Sequence, residues 1–144
     1  LFSSNVSIIR ALDFVLKRIN EHGLPTHFQH IARRAEYTRQ MALEMGLALY
    51  STAPSNSVTA ICLPSQIDGV KFRNELEAKY QTTVMGGQDA LKGKIIRLGH
   101  MGYITDDNLH ETTMRLAKTL NDFDYKINLS ELEKKSKTYL ERKV

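Results

Sequence analysis

A glycine pair, then a short β-branched strand that ends in arginine and meets more glycine, most limits what this chain can fold into. Thr82-Thr83-Val84-Met85 runs into Gly86-Gly87. Leu91-Lys92-Gly93 turns the chain into Lys94-Ile95-Ile96-Arg97-Leu98, and Gly99-His100-Met101-Gly102 follows. Such short runs bounded by glycine read as strands of a small sheet. The pattern fixes one guanidinium at a strand end, where a ligand can approach the backbone.

The remaining elements follow from periodicity and capping. Val6 to Glu21 reads as a helix with Ser4 or Asn5 as its cap and Gly23 after its end; Val6, Ile9, Ala11, Leu12, Val15, Leu16 and Ile19 make a broad apolar face that predicts burial. Pro25 breaks the chain, and Thr26 can cap a second helix from about His27 to Met45, stopped by Gly46. Its Phe28, Ile31, Ala35, Met41 and Ala42 give an apolar side, and Arg33, Arg34, Glu36, Arg39 and Gln40 a wet one. Leu47 to Tyr50 is a short strand candidate, and Val58 to Leu63, ended by Pro64, is the clearest strand. Asp68 caps a helix through Tyr80 with Val70, Phe72, Leu76 and Tyr80 inward; Thr105 caps another from Asp106 to about Asp122, its acidic first turn suiting the helix dipole. A last helix follows Ser130.

This order predicts an α+β (α/β) fold, with helices packed on a small, mostly antiparallel sheet. The first helix is long for so small a sheet and makes sense as a connector to a neighbouring domain. The expected organisation is one domain over residues 1–123, with 1–22 as the connecting helix, and a charged, mobile helical tail over 124–144.

Composition excludes several classes. No apolar run approaches the roughly 20 residues that span a membrane, and Leu1-Phe2-Ser3-Ser4-Asn5 has no basic region preceding an apolar stretch. The net charge of +4 owes much to Lys134, Lys135, Lys137, Arg142 and Lys143, but Glu131, Glu133 and Glu141 alternate with them, as on a solvated helix face. Basic residues are not clustered with aromatics, so a nucleic-acid partner is not expected. Cys62 is the single cysteine, inside an apolar run, and reads as a core residue in a reducing, cytoplasmic setting. The chain opens on Leu1 rather than methionine, which fits a trimmed terminus, an excised domain or a proteolytic product.

Arg97 is the sharpest site candidate. A guanidinium holds a carboxylate by two parallel hydrogen bonds, and Gly99 beside it removes a side chain that would block a ligand. The competing reading is a strand-end arginine paired to a nearby Asp or Glu. Gly86-Gly87 is either a turn that needs positive φ or a place where a ligand approaches the backbone; no phosphate-loop or dinucleotide fingerprint accompanies it. His100 adjoins the Arg97 loop and either lines a pocket or packs the loop. His27 and His30 share a helix face, but no third ligand completes a metal site. None of Lys17, Lys71, Lys79, Lys92, Lys94 or Lys118 sits where burial would lower its pKa, so no catalytic lysine is evident.

The stretch from Val84-Met85-Gly86-Gly87 through Arg97-Leu98-Gly99-His100-Met101-Gly102 resembles the class V aminotransferases, the alanine–glyoxylate and serine–pyruvate group. Asn56-Ser57-Val58-Thr59-Ala60 resembles that family's threonine-bearing strand, and the opening helix ending at Gly23-Leu24 fits in order and spacing; the likeness runs from Leu1 to about Phe123. It implies a C-terminal small domain of a pyridoxal-phosphate enzyme, folded against a large domain that precedes Leu1 and carries the cofactor's lysine. It further implies a homodimer, amino-acid and 2-oxo-acid substrates such as glyoxylate or pyruvate, and Arg97 as the group that binds their α-carboxylate, with Gly87 and His100 as possible pocket lining. The chain alone is then expected to be inactive and to bind no cofactor. The other reading is a stand-alone module that binds a small amino acid or anion.

Overall fold

The structure, a computed structural model, describes residues 5–141. Ser4, Arg142 and Lys143, named above as cap and tail charges, lie outside the described residues. Five α-helices and a three-stranded antiparallel sheet alternate along the chain: α1 (Val6–His22), α2 (Leu24–Glu44), β1 (Val58–Cys62), α3 (Gly69–Tyr80), β2 (Met85–Gly86), β3 (Ile95–Gly99), α4 (Asp106–Asp122) and α5 (Leu129–Glu141). The α+β architecture expected from the sequence is the one observed.

Strand order is β1-β3-β2, with β3 in the middle. Thr59 stands opposite Leu98, Ala60 opposite Arg97 and Ile61 opposite Ile96; on the other side Met85 stands opposite Arg97. Side chains alternate between faces along a strand. Thr59 and Ile61 therefore share the helix-covered face with Ile96 and Leu98, and Val58, Ala60 and Met85 share the other with Arg97. Helices α2 to α5 close over the first face. Phe72 and Leu76 of α3, Met41 and Ala42 of α2, Leu116 and Leu120 of α4, and Leu132 of α5 meet Ile61 and Ile96 in one core. Burying a side chain such as Phe72, with no exposed area, stabilises the fold by about 1.5–3 kcal/mol.

Capping explains where several helices begin. Asp68 accepts from the amides of Val70 (2.8 Å) and Lys71 (3.2 Å), and these bonds hold its carboxyl below the usual carboxylate range. Thr105 and Asn108 form a reciprocal capping box at α4. Asn5 caps α1 through the Ile8 amide.

Four expectations need correction. Helix α1 buries none of its residues: Val6, Ile8, Ile9, Leu12, Phe14, Val15 and Leu16 are 49–64% exposed. Amphipathicity identifies an apolar face but not what covers it. Helix α2 starts at Leu24 rather than His27, because Pro25 lies in its first turn, where a missing amide costs nothing. Gly23, at φ +84°, ends α1 and begins α2, so a single glycine turns one helix into the next. Phe28 and Val70, read as inward, are exposed. The strand read over Leu47–Tyr50 is one bridge between Leu49 and Ile61.

Helix α5 is a core element. Ser136, fully buried, hydrogen-bonds the Tyr37 hydroxyl of α2 at 2.6 Å and Nδ1 of His110 in α4 at 2.7 Å. Tyr139 meets Tyr37 edge-on at 5.7 Å. The α2 face expected to be wet is partly engaged as well: Arg33 donates through both terminal nitrogens to Asp106 and also to the Leu140 carbonyl.

Candidate functional site

The open face of the sheet carries the one cation that the sequence singles out. Arg97 sits in the centre of β3, between Ala60 and Met85, and not at the strand end expected from the sequence, because pairing with β1 continues through Gly99. Its Nε donates to the Gly86 carbonyl at 2.9 Å, which anchors the guanidinium toward β2. No described carboxylate pairs with it, and no described acceptor takes a hydrogen bond from its two terminal nitrogens. The arginine–carboxylate pairing considered as the alternative is not what holds Arg97 among the described residues. A half-buried guanidinium whose two terminal nitrogens have no described acceptor within the chain can take an anion by a bidentate hydrogen-bonded pair. A side chain at Gly99 would meet no atom within 4 Å, so space stays open at the strand end.

Gly86 and Gly87 are glycine for a reason other than a positive-φ turn. Neither adopts positive φ. A side chain at Gly86 would stand 2.5 Å from the Arg73 guanidinium, and one at Gly87 would overlap the Leu91 backbone. Gly86 pairs within β2, and the Gly87 amide extends the pairing to the Ile95 carbonyl at 3.2 Å. Arg73 in turn donates to the Val84 carbonyl. At Gly87 the crowding comes from backbone that cannot give way, whereas at Gly86 it comes from the movable end of the Arg73 side chain.

His100 lies on the opposite, helix-covered side. It is 1% exposed, its Nε2 is 2.9 Å from the Thr59 hydroxyl, and its amide donates to the Ser57 carbonyl. Burial first, then the positive charges of Arg39 and Arg34, push its pKa down to about 4, so it is neutral near pH 7. It lines a cleft of about 250 Å³ with Met41, Ile61, Leu98, Leu109 and Thr113. The fold therefore does not bring His100 and Arg97 into one pocket, whereas Gly87 is beside the Arg97 anchor. Arg34, which sequence reasoning put on a wet face, donates to the carbonyls of His100 (3.3 Å) and Gly102 (2.8 Å). Only tertiary contact reveals that role. Strand pairing likewise sets Met85 beside Arg97, a neighbour that eleven intervening residues hide in the sequence.

All described lysines are exposed. Contacts with Asp122 raise the pKa of Lys79, and Glu44 and Glu131 raise that of Lys135 to about 12. No described group of three or more His, Cys, Asp or Glu is arranged to hold a metal ion, and no described helix is long and apolar enough to cross a membrane. Among the described residues Arg97 is thus held through Nε alone, and its terminal nitrogens have no acceptor within the chain.

Comparison with known proteins gives this geometry a context. No family model matches the chain. An aminotransferase of Methanocaldococcus jannaschii is 31% identical over 134 residues, which covers 92% of this chain and 35% of that protein. A serine–glyoxylate aminotransferase of Arabidopsis thaliana is 25% identical over 99% of this chain and 36% of its own length. The crystal structure of ureidoglycine–glyoxylate aminotransferase from Bacillus subtilis superposes with a TM-score of 0.91 at 24% identity, over 98% of this chain and 37% of that one. This chain thus spans about a third of the length of the curated relatives it matches. The matches also extend beyond Phe123, where the motif-based likeness stopped, so α5 belongs to the shared fold.

Proposed function

The chain is a homologue of the C-terminal part of class V aminotransferases, and from that premise we propose that it forms the carboxylate-binding portion of a pyridoxal-phosphate-dependent transaminase. The complete enzyme moves an amino group between an amino acid and a 2-oxo acid of the glyoxylate or pyruvate type. The observation that carries this reading is Arg97: its Nε is tied to Gly86, and its terminal nitrogens are left without a described acceptor on the open face of the sheet.

Arg97 holds the α-carboxylate that donor and acceptor share. A bidentate pair fixes the plane of the carboxylate and so the direction of the carbon attached to it. Gly99 keeps the approach clear. Pyridoxal phosphate supplies the electron sink for amino transfer, but the described lysines do not fit its attachment, since none is buried and the two with shifted pKa values are shifted upward. The attachment lysine belongs to a preceding large domain, against which the exposed apolar face of α1 packs as a connector. The whole enzyme is a cytoplasmic homodimer, and the chain by itself is inactive.

Arg97→Ala in the complete polypeptide tests the assignment. Apparent binding of amino-acid and oxo-acid substrates should weaken by about 2–5 kcal/mol, and a near-normal Michaelis constant for both would remove Arg97 from the site. Borohydride reduction of the isolated chain with pyridoxal phosphate should leave no stoichiometric adduct by mass. An adduct on one lysine would place the catalytic amine within these residues.

A further inference from the structure

Arg97 has one direct neighbour on the open face that nothing in the fold requires. Met85 is its partner across β2–β3, which sets their side chains on one face with Cβ atoms about 4.5–5.5 Å apart. Met85 is 60% exposed, whereas Val84 beside it is buried. The hydrogen bond from Arg97 Nε goes to Gly86, the residue next to Met85, so the guanidinium is drawn toward β2. On the β1 side the partner is Ala60, whose methyl group is too short to reach past the guanidinium. A carboxylate on the terminal nitrogens is thus bounded on one side by a long thioether and on the other by open space.

We infer that Met85 is a specificity-determining residue, the wall against which the substituent next to the substrate carboxylate rests. This rests on the reading of Arg97 as the carboxylate clamp. An unbranched, polarisable thioether adapts to a hydrogen, a methyl or another small uncharged group. It offers no strong hydrogen-bond partner, and a charged substituent pressed against it would be desolvated without compensation. The site therefore takes monocarboxylic amino and 2-oxo acids with small uncharged substituents in preference to dicarboxylic ones.

Glyoxylate and pyruvate, which differ by one methyl group, are the probes, used as acceptors with the complete polypeptide. Met85→Ala lowers the pyruvate-to-glyoxylate ratio of kcat/KM by about fivefold or more, within the range that a single methyl contact commands. Met85→Glu sets a carboxylate opposite Arg97, occupies it and raises KM for both acids by about tenfold. A ratio that stays within about twofold in Met85→Ala, while Arg97→Ala weakens both acids, overturns the role of Met85 and leaves the clamp standing. Unchanged KM values for both acids in Arg97→Ala overturn the clamp and the inference together.

Discussion

The two faces of the small sheet are made from the same strands and do opposite work. On β3, Ile96 and Leu98 enter the core with Phe72, Leu76 and Leu120, whereas Arg97 and Gly99, one residue away, stay outside it. The covered face spends its side chains on apolar contact and matched hydrogen bonds. The open face keeps Met85 and Val58 in contact with solvent and leaves two guanidinium nitrogens without described acceptors. Stability and recognition are thereby separated by the period-2 alternation of a strand, and substitution on one face should leave the property of the other nearly unchanged.

The sharpest way to break that separation is at the centre of the covered face. Phe72→Ala should cost about 3–5 kcal/mol in urea unfolding, because a fully buried ring that also meets Phe123 at 5.8 Å leaves a cavity. A loss under about 1 kcal/mol would mean that the core lies elsewhere. His100 gives the next effect through pH. Its folded pKa is depressed to about 4 from an ordinary 6.5, so the unfolded chain takes up a proton that the folded one refuses. The stabilisation is fully present above pH 6.5 and is lost as pH falls toward 4, by roughly 3 kcal/mol over the window. His100→Gln should flatten that part of the stability profile, and an unaltered slope would show that His100 is not kept neutral by its surroundings.

Ser136→Ala follows, with a loss of about 1–3 kcal/mol as the Tyr37 hydroxyl is left buried without this partner. Adding Tyr37→Phe should recover part of it in the double variant, and strict additivity would show that the two hydroxyls are not coupled. Smallest of all, Met85→Ala and Arg97→Ala should each shift unfolding stability by no more than about 0.5 kcal/mol. A larger shift would show that the open face also supports the fold.

Sequence reasoning reached the covered face better than the open one. Asp68 and Thr105 were legible as caps because a capping side chain acts within three residues of itself, and β1 was legible from its β-branched run and Pro64. The position of Arg97 on a strand was legible, but its hydrogen bond to Gly86 and its pairing with Met85 depend on a register set by the whole sheet. The glycine pair was seen but the crowding at Gly87 was not, since the Leu91 backbone that causes it is brought there by the turn that follows. The aminotransferase likeness was legible from ordered motifs, and its extension through α5 was not, because that helix contributes burial at Leu132 and Ser136 rather than a motif. The apolar stripe of α1 was read correctly as a stripe and wrongly as buried.

The single hydrogen bond from Arg97 to Gly86 also has an entropic meaning. A free arginine side chain carries about 2 kcal/mol of rotamer entropy. Tying Nε to a backbone carbonyl removes part of that freedom when the chain folds, so less remains to be lost when an anion arrives. The same guanidinium on an untethered stem would have to be frozen anew at every encounter, and its grip would be looser for a reason that no list of contacts records.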